Sequence, residues 1–430
     1  MDLIPAFYSN EVLQMIKQIY LENWKSFDAA TLHIDPLTVL IGANASGKSN
    51  MLDALVFLQR TAANVPLASV VNGMNGSMSG LRGGNDWLIR SGERTARITV
   101  IIGVDDHPLT EYEYTIEIER SKENRLEIRG ERLDKIRIQK RAGGRVPRNL
   151  FRAELQEKES STIPTYYKNS SGKGLGNRYD LPRTVSILSQ CKNLPLIKEV
   201  QEAVERVTGV LKSIFVFDPI PSTMRDYVSL DDKLLTDGSN VAGVIASYSK
   251  KEVLERELSK YLSRLPEREI ISISAEKIGK FQTDAMLYAE EALPNKQRLT
   301  VDARGMSDGT LRIVAIMTAL LTSSPGSLVV IEEIDNGLHP SRAKLLVEFL
   351  REIRDSRGLD VICTTHNPAL LDAFGNTMIP FISVVYRDEH TGGSRIRLLE
   401  EVDILPRLLA RGSVGDLVTK GKLEKAVHHE

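Results

Sequence analysis

Hydrophobic and polar positions follow two distinct periods along this chain, and the switches between them mark its elements. Residues 38–41 (Thr-Val-Leu-Ile) form a short apolar run of buried-strand type. After the loop that follows it, Met51, Leu52, Leu55, Val56 and Leu58 recur at helical spacing, predicting an amphipathic helix over 49–60. Upstream, residues 18–21 alternate as a strand should, and a second strand is expected near 32–34. Residues 95–104 and 111–119 (EYEYTIEIE) alternate with period two on either side of Asp105-Asp106-His107-Pro108, which predicts an antiparallel hairpin with one wet face. The stretch 125–139 has room for two more strands. Ile197, Val200, Val204, Val207 and Leu211 predict a helix over 196–214, and Ile214-Phe215-Val216-Phe217 a short strand after it. Two helical segments are expected over 240–265, ending at Pro266. In the last third, 311–321 reads as a helix, while 328–331 and 361–365 read as buried strands. Residues 1–15 read as one or two helical turns, and 60–85 and 161–183 as loops.

Composition narrows the picture. A chain of 430 residues is too long for one ordinary domain, which predicts two lobes or a domain with an insertion. With 42% hydrophobic and 26% charged residues it has the make-up of a soluble globular protein. The net charge of −1 leaves no global field for nucleic acid or lipid, so any such attraction must be local. Cys191 and Cys363 lack metal-ligand spacing and are expected as two buried thiols in a reducing compartment. No apolar run approaches 18 residues and no secretory pattern opens the chain, so no membrane contact and a cytoplasmic location are expected.

The chemistry begins at residues 42–49. GANASGKS fits G-x-x-x-x-G-K-[ST], and it lies between a strand and a helix, the setting of a phosphate-binding P-loop. Gly42, Asn44, Ala45, Ser46 and Gly47 would curl backbone N–H groups around the phosphates of a nucleoside triphosphate, with the helix N-terminus adding a favourable field. Lys48 would reach the β- and γ-phosphates, and the Ser49 hydroxyl would ligate Mg²⁺. Strand 328–331 ends in Glu332-Glu333. An acid at such a strand tip holds Mg²⁺, the role expected of Glu332, while Glu333 would orient or deprotonate the attacking water. His366 follows the next strand and would hydrogen-bond the γ-phosphate or that water. Ser307 and Gly309, ahead of the 311–321 helix, form a second anion-binding turn that also caps the helix.

GANASGKS, MSDGT, VVIEEIDNGLHP and TTHNP, in this order, resemble an ABC-type ATPase of the group that includes RecF, SMC proteins and the OLD-like ATPases. Residues 18–27 (QIYLENWKSF) are similar to the opening strand and turn of that group, and GSNVAGVIASY at 238–248 looks like its stand-alone bacterial members. The resemblance implies an α/β fold: a P-loop ATPase head with an antiparallel β subdomain and a mainly helical inserted lobe. The head would comprise 1–60 and 281–375, the insertion 61–280 with its β subdomain near 95–140, and 376–430 a tail that completes the head or docks a partner. ATP and Mg²⁺ are implied as cofactors, with Lys25, Ser26 and Asn50 joining the P-loop in nucleotide binding. Two heads would pair face to face as a homodimer around ATP, Ser307 and Gly309 reaching the partner's γ-phosphate and 335–340 crossing the seam; a higher oligomer is left open. Two departures stand out: SDGT where the group more often has SGG, and Glu332 where it more often has aspartate. The glutamine that usually senses Mg²⁺ has no clear place, since Gln59 lies about 16 Å along its helix from the P-loop.

Such a head has three possible uses. The segment from Arg120 to Arg152 holds twelve Lys or Arg against four acids, a local basic stripe suited to DNA or RNA, or else the solvated face of a β-sheet. A nuclease in the same chain is not expected, because only 64 residues follow His366 and they show no acidic triad. A long-armed clamp is not expected either, since no heptad series lasts four repeats. The expectation is therefore an ATPase in phage defence or DNA repair working with a separately encoded effector. The alternative is an ATP-gated scaffold for a protein partner such as a nuclease or toxin.

Overall fold

A computed structural model describes residues 16–428 apart from 75–77, 105–108, 140–143, 157–159, 171–175, 266–269 and 294–296. The turns expected over 1–15, the connection Asp105 to Pro108 and the stop at Pro266 lie outside the described residues. The chain opens with β1 (Ile16–Trp24), β2 (Phe27–His33) and β3 (Leu37–Ile41), and the P-loop then leads into α1 (Lys48–Ala62). Next comes α2 (Leu67–Asn72), inside a stretch read as loop. An antiparallel run then builds up from β4 (Thr95–Gly103), β5 (Thr110–Arg120), β6 (Leu126–Ile138), β7 (Arg145–Glu154), β8 (Thr162–Tyr167) and β9 (Asn177–Pro182). Helices α3 (Ile187–Gln190) and α4 (Lys198–Lys212) return the chain to β10 (Ile214–Phe217). A smaller sheet follows, made of β11 (Val228–Ser229), β12 (Ile270–Ile278), β13 (Asp284–Ala292) and β14 (Arg298–Asp302), with α5 (Val241–Ser247) and α6 (Lys251–Leu262) inserted between β11 and β12. Helix α7 (Asp308–Thr322), β15 (Leu328–Ile331), α8 (Ala343–Arg357), β16 (Asp360–Thr364), α9 (Pro368–Phe374), β17 (Ile382–Arg387) and β18 (Ser394–Leu398) complete the head. The chain then closes with α10 (Leu405–Leu409), α11 (Val414–Thr419) and α12 (Lys422–His428).

The large sheet runs β10-β15-β16-β3-β17-β18-β2-β1-β4-β5-β6-β7-β8-β9. Strands β10, β15, β16, β3 and β17 are mutually parallel, so their C-terminal ends share one edge. Of these, β3, β15 and β16 are buried on both faces, which is why they read as unbroken apolar runs rather than alternations. The sheet acts as a diaphragm between two cores. Val39, Val329, Val361 and Val384 point into one, packed by α5 to α9 and the C-terminal helices. Leu40, Val330, Ile362 and Val385 point into the other, packed by α1 and α4 and continuous with the antiparallel strands.

Two sequence expectations change. The 161–183 stretch supplies β8 and the edge strand β9, not a loop, and the β subdomain therefore extends past 140 to Pro182. The lobe that follows the β subdomain is mainly helical, through α3 to α6, but β10 within it joins the parallel core beside β15, and the boundary at 280 falls inside the β12–β13 hairpin. Val402, Leu405, Val414, Leu417 and Leu423 are buried in the first core, and Gly415 sits against α9. Both cysteines are buried and unpaired, with burial pushing the Cys191 thiol up to about 12. No helix among the described residues is long and apolar enough to cross a membrane.

Candidate functional site

Parallel strand order brings the motifs together. In such sheets, functional groups gather in the crevice outside the carboxyl ends of the strands. Here β3 delivers the P-loop, β15 delivers Glu332 and Glu333, and β16, between them, ends just before His366. Ser49 Oγ donates a hydrogen bond to Glu332 Oε1 across 283 residues of sequence. The two residues expected at Mg²⁺ are thus adjacent, a pair of hard oxygen ligands of the kind that suits Mg²⁺ bound together with nucleotide phosphates. The residues present fit that ion. The Ser46 hydroxyl, buried in the same loop, has no hydrogen-bond partner among the described residues.

Lys48 Nζ folds back to donate to the carbonyls of Gly42 (2.6 Å) and Ala43 (2.9 Å). Burial lowers its pKa, while the carboxylates of Glu333, Glu332 and Glu424 pull the other way and favour the charged form. The loop is braced from behind by the β17–β18 hairpin. Ser394 Oγ lies 2.6 Å from the Ser46 carbonyl, and Arg387 Nε donates to the Ala45 carbonyl at 3.0 Å. Gly47, with φ +121°, packs so close that a Cβ there would come 2.9 Å from Ser394 Cβ, so glycine is required on both conformational and steric grounds. Ala45 is also left-handed, at φ +62°, and Asn44 is exposed at the tip.

Glu333 adopts φ +46°, an unfavourable left-handed conformation for a side-chain-bearing residue. It is held there by its own N–H to Thr364 Oγ1 (2.8 Å), while Asn336 Nδ2 reaches its Oε2 at 3.3 Å. Burial raises the pKa of Glu332, but hydrogen bonds from Arg82 and Ser49 outweigh it and hold the carboxyl below its ordinary value. His366 is exposed beside this turn.

Lys25, Ser26 and Asn50 form a supporting layer. The Lys25 ammonium is buried and donates to Asp53 Oδ2 and to the Arg82 carbonyl, both at 2.6 Å, so it is turned away from the phosphate loop. Asn50 Nδ2 donates to Ser26 Oγ at 2.7 Å, and Ser26 Oγ also meets Ser394. Ser307 caps α7, accepting from Thr310 N at 3.2 Å. Gly309 serves close packing: a Cβ there would meet the Gly337 carbonyl at 2.7 Å and Arg342 Nη1 at 2.9 Å. The carboxylate of Asp308, the departure in the signature, is neutralised by Arg225, which also donates to the carbonyls of Ala303, Arg304 and Met306.

Two residues carried no sequence signal of their own. Arg312 on α7 is buried and donates to the carbonyls of Pro219 (2.6 Å), Glu332 (2.9 Å) and Glu333 (3.0 Å), tying the signature helix to the acid-bearing turn. Arg82 forks onto Glu332 from a glycine-rich loop. Asp53, in contrast, was detectable as a lone acid within the apolar run Met51-Leu52-Asp53-Ala54-Leu55.

The basic stripe lies mainly on β6 and β7, where four of its arginines pair with acids. Arg129 pairs with Glu117 (3.0 Å) and Glu119 (3.1 Å), Arg145 with Glu111 (3.2 Å), Arg148 with Glu199 (3.2 Å), and Arg132 with Asp134. Lys140 and Arg141 lie outside the described residues.

Comparison with known proteins agrees with this geometry. Residues 37–191 and 211–372 match the family model described as AAA domain, putative AbiEii toxin, Type IV TA system. No curated protein compared with the chain is a significant match. Among solved structures, an SmcHead bound to the C-winged helix domain of ScpA is similar over 89% of this chain and 97% of its own, at 14% identity and a TM-score of 0.52. The Smc head domain with an extended coiled coil bound to the C-terminal domain of ScpA, from Pyrococcus furiosus, aligns over 92% of this chain and 100% of its own at 12% identity, with a TM-score of 0.49.

Proposed function

Because this chain belongs to the AAA domain, putative AbiEii toxin, Type IV TA system family, and its fold is that of an ABC-type ATPase head, we propose that it binds ATP with Mg²⁺ and hydrolyses it to ADP and phosphate. The observation that carries this reading is the hydrogen bond between Ser49 and Glu332, which joins the phosphate loop to the acid-bearing strand. When bound, Mg²⁺ neutralises phosphate charge and orients the γ-phosphoryl group. Lys48 leaves its loop carbonyls for the phosphates, the backbone N–H groups of 44–49 cradle them, and Glu333 takes the proton of the attacking water. Ser307 and Gly309 serve the nucleotide of a second copy in a head-to-head homodimer, and Arg312 passes the position of that signature helix to Glu332 and Glu333. Dimer closure drives a separately encoded effector in a nucleic-acid-related process, with phage defence or DNA repair as the setting.

Lys48→Ala should abolish nucleotide binding, read by isothermal titration. Glu333→Gln should still bind ATP, hydrolyse it about 10²–10⁴-fold more slowly and accumulate the closed dimer. Turnover at the wild-type rate in that variant would dispose of Glu333 as the base. The ion pairs of Arg129, Arg132, Arg145 and Arg148 with neighbouring acids favour a second reading, in which the head is an ATP-gated scaffold for a protein partner and makes no direct nucleic-acid contact.

A further inference from the structure

The carboxylate that this site offers a metal ion is held by a cation of the chain's own. Arg82 Nη1 and Nη2 donate to Glu332 Oε1 and Oε2, both at 2.9 Å, a bidentate fork that takes both oxygens. Ser49 Oγ donates to the same carboxylate, so the two residues assigned to Mg²⁺ are bonded to each other and to a guanidinium. We propose that Arg82 is a built-in competitor of Mg²⁺, neutralising Glu332 in the nucleotide-free protein and releasing it only when Mg²⁺ and nucleotide arrive together. The proposal rests on the nucleotide-site reading above.

Charge and anchoring both support an exchange. Lys25 and Arg82 balance Asp53 and Glu332, so the cluster is neutral as it stands. A divalent ion at Glu332 with the fork still engaged would set two cations on one carboxylate, and the repulsion makes the two occupancies exclusive. Release is made easy by a second anchor. Arg82 Nε donates to Asp53 Oδ1 at 3.3 Å, and the Arg82 carbonyl accepts from Lys25 Nζ at 2.6 Å, so the residue stays tethered when the fork opens. The Arg82 side chain is 51% exposed against 14% for Glu332 and 5% for Asp53, so the two Nη groups can turn into solvent while Nε stays on Asp53 and the Arg82 carbonyl on Lys25. Lys25 sits at a left-handed φ of +50° in the two-residue turn between β1 and β2, where Trp24 pairs with Phe27.

The test is a MgCl₂ titration of the full chain at a fixed concentration of a non-hydrolysable ATP analogue, read by the thermal unfolding midpoint. Arg82→Ala should lower the Mg²⁺ concentration for half-maximal stabilisation by about tenfold, the shift expected for losing one such ion pair. Arg82→Lys keeps the charge but cannot fork, and should lower it by a smaller factor. An unchanged or raised half-point in Arg82→Ala overturns the proposal; a raised one would make Arg82 a phosphate ligand. A lowered half-point in Arg82→Ala with a wild-type value in Arg82→Lys also overturns it, leaving only the field of the charge. If the wild-type chain shows no stabilisation at any Mg²⁺ concentration, the nucleotide-site reading itself fails. Unfolding midpoints without nucleotide establish that each variant is folded.

Discussion

Glu131 shows how much a single buried carboxylate can contribute to this architecture. It lies on β6, fully enclosed, and accepts hydrogen bonds from Tyr114 Oη and Ser186 Oγ (both 2.9 Å) and from the N–H groups of Ile187 and Leu188 (both 2.7 Å). Burial pushes its pKa up to about 7 against the pull of those four donors. The folded chain therefore holds a proton that the unfolded chain, with an ordinary value of 4.5, has already released. Stability should fall as pH rises from about 4.5 to 7, by on the order of 3 kcal/mol in all. Urea unfolding of the wild type at several pH values, beside Glu131→Gln, checks this: the variant should lose the slope. It should also be less stable at low pH by about 1–3 kcal/mol, because an amide nitrogen would face the Ile187 N–H and leave it unpaired. A slope that survives in the variant would assign the effect to another group.

At the scale of elements, the contact between α7 and the 335–340 loop is the most exposed to a small change. Gly309 has ordinary helical backbone, so Gly309→Ala adds helix propensity and isolates the clash with the Gly337 carbonyl. Since backbone cannot retreat as a flexible side chain can, the variant should lose about 1–3 kcal/mol in urea unfolding. A stabilised variant would show that the loop moves freely. Elements of this head differed in how legible they were in sequence, and for physical reasons. β3, β15 and β16 were visible because burial on both faces demands β-branched apolar runs with little else in them. β8 and β9 were not, since an edge pair with Pro164 and Pro182 needs few apolar residues beyond Ile163 and Tyr167 and takes its order from the neighbouring strand. The motif residues of the site were legible because phosphate chemistry fixes their spacing. Arg82 and Ser394 were not, because tertiary structure brings them in from stretches with no periodic signature, and Arg312 was not, because a cation in the 311–321 helix does not tell which distant carbonyls it meets. Lys25 carried the right signal but a different destination, facing Asp53 in the core.

For the whole molecule, assembly and charge are the quantities to measure. If Ser307 serves the nucleotide of a second copy, ATP turnover per subunit should climb with protein concentration and then level off. A flat rate across that range would mean a site complete in one chain, or a dimer already fully formed. DNA affinity separates the two readings of the stripe. A nucleic-acid-binding face should lose affinity steeply between 50 and 200 mM salt, as about one counterion is released per phosphate contact. Arg132→Ala with Arg148→Ala should then weaken binding and flatten that dependence, as measured by fluorescence anisotropy. Unaltered affinity would favour a protein partner.

The place of β3 has a consequence for how the chain is made. Its hydrogen-bonding neighbours are β16 and β17, so the strand carrying the phosphate loop is paired on both sides by residues that follow it by about 320 to 340 positions. A ribosome adding about 5–20 residues per second leaves that apolar strand without its partners for roughly 16 to 64 s. Folding of the parallel sheet is therefore deferred until β16 and β17 have been made. Any event that halts synthesis before β16 yields a polypeptide with an unsheltered strand and a phosphate loop that has no acid-bearing neighbourhood to join.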